Sequence, residues 1–151
     1  MLVIRCFWPG PRLQALLLNT LQHDGLVVVA GLVTDQFPML FVHEHLAQGN
    51  LDEWLHANTP NFLGASQKAP VTAEALVQIC LTLAGTLDFL AGKGLVLRRL
   101  QAHSVLVGDG VFKLRPIGCL GEGTVYRHAD QTPNELVRWM APEVLEDDRY
   151  S

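Results

Sequence analysis

Two short stretches of this chain gather polar, chemistry-bearing side chains among apolar ones. One is Val42-His43-Glu44-His45-Leu46, and the other is Leu97-Arg98-Arg99-Leu100-Gln101-Ala102-His103-Ser104. His43 and His45 stand at i and i+2, which puts both on one face of a strand, but no third ligand lies beside them. A zinc site needs at least three protein ligands, so none is indicated. Gly108-Asp109-Gly110 has the composition of a tight turn rather than of a phosphate cradle. Cysteines 6, 80 and 119 are odd in number and widely spaced, without a C-x-x-C. They fit neither a disulfide framework nor a metal site and point to a reducing compartment. Cys80 reads as a small buried hydrophobe.

The elements that must position these groups follow from local patterns. Leu2 to Phe7 reads as a short strand stopped by Pro9-Gly10-Pro11. Leu13 to Leu21 reads as a helix ending near His23-Asp24-Gly25. Leu26 to Val33 has the β-branched content of a buried strand, and Asp35 to Pro38 turns into a second strand, Met39 to Val42. Gly49-Asn50 opens a short helix through Leu51, Trp54 and Leu55. Residues 58–70 read as an exposed loop. Thr72 is a good N-cap for a core helix carrying Leu76, Val77, Ile79, Cys80, Leu83, Ala84, Leu87 and Leu90. Short β pieces follow at Ser104 to Val107 and Val111 to Leu114. Gly118 to Pro133 is polar and glycine-bearing and reads as a mobile loop.

Bulk properties narrow the class. With 151 residues, 49% hydrophobic and 17% charged, the chain is one globular domain's worth of sequence. The net charge of −4 and the scattering of the 11 basic residues argue against nucleic acid or an anionic membrane as partner. Gln78, Thr82, Gly85, Thr86 and Asp88 interrupt the apolar segment from Leu76 to Leu90, so no membrane segment is expected. The apolar start runs into Pro9 too soon for a signal peptide.

Three ordered segments resemble protein-kinase motifs. Residues 95–107 resemble the tyrosine-kinase catalytic loop V-H-R-D-L-A-A-R-N-x-L-V, residues 42–51 the hinge V-x-E-Y-M-x-x-G-x-L, and residues 138–143 the R-W-M-A-P-E end of the activation segment. The resemblance implies an α+β, protein-kinase-like fold in partial two-lobe form. A small β-rich N-lobe remnant would occupy residues 1–45, and a helical C-lobe portion residues 46–151. It places the glycine-rich phosphate loop upstream of Met1. It also places the central helix of the larger lobe beyond Ser151, which predicts apolar faces without their usual cover.

The same resemblance exposes the departures. The catalytic Asp position is Arg99, the metal-binding Asn position is Ser104, and the D-F-G triplet reads Pro116-Ile117-Gly118. The helix Glu falls on Gln14 and its strand lysine on Arg5. Phosphoryl transfer rests on positioning and on neutralising developing charge. Losing one such group commonly costs ~10²–10³ in rate, and here several are lost together. By contrast, Leu18, Val29, Leu97 and Ile117 keep the apolar stack that the family builds through both lobes.

The resemblance therefore implies a catalytically inactive tyrosine-kinase-like domain, a pseudokinase acting as protein-binding scaffold or allosteric regulator. Its partner would be another protein, an active kinase among the candidates, and its place the cytoplasm or the cytoplasmic part of a longer membrane protein. His43, Glu44, Leu46 and Leu106 would form a vestigial nucleotide pocket with ATP as the candidate ligand and no Mg²⁺. Tyr126 is a candidate regulatory phosphorylation site. Ala102 to Val107 also resembles the degenerate loop of kinase-dead Eph-type receptors. Two alternatives stay open: a weakly active protein tyrosine kinase or ATP-binding switch, and a truncated fragment without independent function.

Overall fold

Three antiparallel strands open the fold: β1 (Leu2–Phe7), β2 (Val29–Val33) and β3 (Met39–Glu44). They lie in the order β1-β3-β2, so β3 is central, and Arg5 pairs with Phe41 across the sheet. The computed structural model describes residues 2–7, 20–33, 39–59, 71–98, 100–115, 120–122 and 139–147. Alternation along β3 sends Phe41 and His43 to the same side, where both are fully buried. The strand expected from Leu26 to Val33 begins three residues late, at Val29. Leu26 instead forms a parallel bridge with Leu114, and a bulge shifts the register between Val29 and Gly31.

Two helices carry their caps where the sequence places them. In α1 (Leu51–Asn58) the side chain of Asn50 accepts from Glu53 N at 2.9 Å. In α2 (Ala73–Gly92) the Thr72 hydroxyl accepts from Ala75 N at 3.2 Å. The helix runs unbroken through Gln78, Thr82, Gly85 and Thr86. With a mean hydropathy of 1.6 it has the length and composition to cross a membrane, a property that core helices of soluble domains share. Only Ile79, Thr86 and Leu90 are buried along it. Thr86 tolerates full burial because its hydroxyl donates to Thr82 O at 2.6 Å.

The opposite side of α2 corrects one expectation. Cys80 is exposed rather than buried, because the packed face runs through Ile79, Leu83, Thr86 and Leu90 and turns Cys80 outward. Leu76 (45% exposed), Val77 (54%) and Leu81 (60%) lie uncovered by any described residue.

Beyond α2 come β4 (Leu95–Leu97), a 3₁₀ turn (Ala102–Ser104), β5 (Val105–Val107), β6 (Phe112–Leu114), β7 (Leu120–Glu122) and α3 (Pro142–Asp147). β5 and β6 form a hairpin across Gly108-Asp109-Gly110, with Gly110 at φ +75°, so the predicted tight turn is present. β7 lies inside the stretch expected to be a loop and pairs antiparallel with β4, Leu95 opposite Glu122. Pairing with a distant strand, not local composition, makes it extended.

Leu26, Phe41, Leu51, Ile79, Leu90, Val105 and Leu114 belong to one buried core that joins the sheet to the helices. Its backbone seam is Leu114, whose N–H donates to Gly25 O at 2.7 Å and whose carbonyl accepts from Val27 N at 2.9 Å. This is the partial α+β arrangement that the kinase resemblance implies. Of the expected apolar stack, Val29 is buried and Leu97 packs against the same core, while Leu18 and Ile117 lie outside the described residues.

Candidate functional site

The end of β3 meets the β5–β6 hairpin at a shallow cleft, and Glu44 stands between its two sides. Its N–H donates to Val28 O at 3.0 Å, and its carboxylate accepts from Val28 N at 2.8 Å. From across the cleft, Lys113 Nζ reaches both carboxylate oxygens, at 2.8 and 3.0 Å. Partial burial alone would raise the Glu44 pKa. The hydrogen bonds from Lys113 and Val28 and the Lys113 charge outweigh it and hold the carboxyl below its ordinary value.

On one side of Glu44, a cavity of about 160 Å³ is lined by His43, His45, Leu46, Asn50, Leu106 and Arg115, among others. Leu46 and Leu106 pack there with Val27 as a small buried cluster. Backbone pairing fixes this wall: Gln48 N donates to Val107 O at 3.0 Å, and Val107 N to Gly49 O at 2.9 Å. The sharp turn that makes this pairing possible sits at Gly49, with φ +80°. On the other side, a cavity of about 320 Å³ is lined by Leu21, His23, Asp24, Leu26, Val28 and Lys113.

Of the four residues expected to line a nucleotide pocket, His43, Leu46 and Leu106 share the smaller cavity. Glu44 does not, because its side chain turns to Lys113. His43 is buried within strand β3, and its Nδ1 lies 2.6 Å from Glu44 O. A carbonyl oxygen only accepts, so Nδ1 carries the proton. Ser104 ends the 3₁₀ turn, and its carbonyl accepts from Arg115 N at 2.7 Å. Arg115 also donates to His103 O at 3.3 Å. Arg5 is placed by its strand register alone, and Arg99, Pro116, Gln14 and Tyr126 lie outside the described residues.

Two contributors were not singled out from the sequence. For Lys113 the signal is a lysine set between Phe112 and Leu114, a charge that must find a partner on folding. Arg115, next to it, borders the smaller cavity.

The smaller cavity, about 160 Å³, lies below the ~300–1,000 Å³ usual for small-molecule pockets, and the larger, about 320 Å³, at the lower end of that range. Ser104 offers a neutral hydroxyl at the position that the kinase resemblance gives to a metal-binding carboxamide.

Comparison with known proteins gives the family. A family profile for protein tyrosine and serine/threonine kinases matches residues 12–151. Megakaryocyte-associated tyrosine-protein kinase of Rattus norvegicus is 32% identical over 139 residues, covering 91% of this chain and 27% of that protein. A putative neurotrophin receptor of Lymnaea stagnalis is 31% identical over 142 residues, 87% of this chain and 18% of the receptor. Ephrin type-B receptor 6 of Homo sapiens is 29% identical over 139 residues, 91% of this chain and 12% of the receptor. The chain thus spans about a quarter or less of the length of these relatives. A hinge-like strand end, a buried hairpin after the loop and a match over nearly the whole sequence converge: the chain belongs to the protein tyrosine and serine/threonine kinase family.

Proposed function

We propose that this chain is a catalytically inactive tyrosine-kinase-like domain that works by binding another protein, as scaffold or allosteric regulator. The observation that carries the reading is the contrast at the β5–β6 hairpin. Val105, Val107 and Leu114 are buried to within 1% exposure, so the framework of a kinase site is kept. Its chemical groups are replaced, by Ser104 at the end of that framework and by Arg99 and Pro116 in the sequence. A proton acceptor and two metal ligands are lost together from the motif, and an arginine takes the acceptor's place in the sequence. Some of the relatives are receptors by name, which supports a place on the cytoplasmic side of a membrane protein or free in the cytoplasm. An active kinase is one candidate partner, and Tyr126 a candidate phosphorylation site.

A phosphotransfer assay with ATP, Mg²⁺ and a generic tyrosine peptide tests this reading. Incorporation at the no-enzyme background is expected. Turnover that the wild-type chain sustains above background, and that Ser104→Ala abolishes, would sink it.

A further inference from the structure

The outer side of α2 combines three features that no packing within the described residues requires. Leu76, Val77, Cys80, Leu81 and Ala84 repeat at helical spacing and are all exposed, opposite the buried Ile79, Thr86 and Leu90. Glu74 and Asp88, both exposed, bound this stripe at its two ends. The helix itself contains no basic residue, and Lys93, just past its end, lies instead over the Phe89 ring, 5.8 Å from the centroid. Gly85 sits on the exposed side in mid-helix, where no described atom would lie within 4 Å of an added Cβ. Glycine weakens a helix interior, so its place here has no cause inside the described fold.

We propose that this face docks an amphipathic helix of another protein, one whose apolar stripe is flanked at each end by a basic residue. The proposal rests on the protein-binding part of the reading above and gives that partner a chemistry. An exposed apolar stripe is stabilised by burial, and two helices bury such stripes by setting ridges into grooves. Ala84 and Gly85 leave room there for a second backbone to come close. From residue 74 to residue 88 a helix rises about 21 Å, so the matching basic groups stand about 21 Å apart. A lysine or arginine meeting Glu74 or Asp88 at the rim sets register and partner choice more than affinity. A second copy of this chain fits poorly. Antiparallel packing about Leu81 sets Glu74 against the other copy's Asp88, and parallel packing sets each acid against itself. Like charges so placed oppose association.

The test uses the 151-residue chain with two synthetic helical peptides of about five turns as probes. Both carry leucines at helical spacing; one has lysines fourteen positions apart flanking them, the other glutamates at the same places. Fluorescence anisotropy reads binding, and the alkylation rate of Cys80 reads whether the stripe is covered. The lysine peptide is expected to bind saturably and to slow Cys80 alkylation, with the glutamate peptide roughly tenfold weaker. Glu74→Lys combined with Asp88→Lys should reverse that preference; where the double variant does not fold, Asp88→Lys alone should abolish it. Gly85→Ala should raise the melting temperature of the free chain and weaken binding of the lysine peptide. Equal binding of the two peptides, a preference that charge reversal leaves in place, a Gly85→Ala chain that binds as tightly as wild type, or Cys80 alkylation unchanged by bound peptide overturns the proposal. So does Cys80 protection that grows with protein concentration in the absence of peptide, which would assign the face to a second copy. All of these leave the non-catalytic reading standing, whereas phosphate transfer by the wild type removes that reading and not this surface.

Discussion

Lys113 and Glu44, 69 residues apart, form a two-pronged ion pair with both Nζ–O distances at or below 3.0 Å. Both side chains keep some contact with water, 19% and 31% exposed, so the pair is worth less than a fully buried one. Glu44→Gln is expected to cost about 1–2 kcal/mol in urea unfolding at pH 7, between the ranges for exposed pairs and charged hydrogen bonds. The folded-state pKa of Glu44 is lowered, so its contribution is full above the ordinary glutamate value and disappears as pH falls through the lowered one. The gap between wild type and Glu44→Gln should therefore hold from neutral pH down to the ordinary glutamate value, about 4.3, and close only as pH falls below it. A gap that stayed constant with pH would mean the carboxylate charge is not what stabilises the cleft.

Gly25 is a packing necessity. A Cβ there would lie 1.9 Å from Thr86 Oγ1 and 3.2 Å from Thr86 Cβ. Gly25→Ala is expected to destabilise by about 1–3 kcal/mol, the usual cost of overpacking. In the Gly25→Ala, Thr86→Ala double variant the loss should be well below the sum of the two single losses, because the colliding atom is gone. Additive losses in chemical denaturation would place the strain elsewhere.

The two faces of α2 should respond differently to polar substitution. Leu81→Ser, at a side chain 60% exposed, is expected to change unfolding free energy by less than about 0.5 kcal/mol. It should also reduce concentration-dependent association in light scattering, since an uncovered apolar stripe promotes contact. Leu90→Ser, at a residue 1% exposed on the packed face of the same helix, should cost at least the about 2–5 kcal/mol of a buried Leu→Ala truncation.

Cys80 shares the exposed face with Leu76 and Leu81. Native protein should react with a small thiol reagent at Cys80 without prior unfolding, and mass spectrometry of the native chain should find that site modified. Protection of Cys80 until denaturant is added would show that something covers the face in solution.

Local signals in the sequence were sufficient where a single residue decides the geometry. Thr72 and Asn50 cap the helices that follow them, and Gly108 to Gly110 makes the hairpin turn, because caps and turns depend on side chains within a few residues. The β4–β7 pair was not legible: three-residue strands 25 positions apart carry too little pattern to announce each other. The exposure of Cys80 was missed for a different reason. With apolar residues at 76, 77, 79, 80, 81, 83 and 84, the helix has too weak an amphipathic phase to single out its buried face. At the site, His43, Leu46 and Leu106 line one cavity, but the motif spacing gave no sign that Glu44 turns away from them. That choice is made by Lys113, which reaches it only once the chain has closed. Arg99, Pro116 and Gln14 lie outside the described residues, so for them the reading rests on residue type alone.

The seam at Leu114 also sets a timetable. Gly25 and Val27 find their backbone partner 87 to 89 positions further along, so the first sheet cannot close that edge while it is being synthesised. At about 5–20 residues per second, a ribosome needs roughly 4–18 s to deliver that partner. For that interval the β-branched run from Val27 to Val29 waits with its edge open to other strands. A nascent chain of this sequence is thus most vulnerable to aggregation just before residue 114 emerges, and a chaperone that shields extended apolar segments would act there.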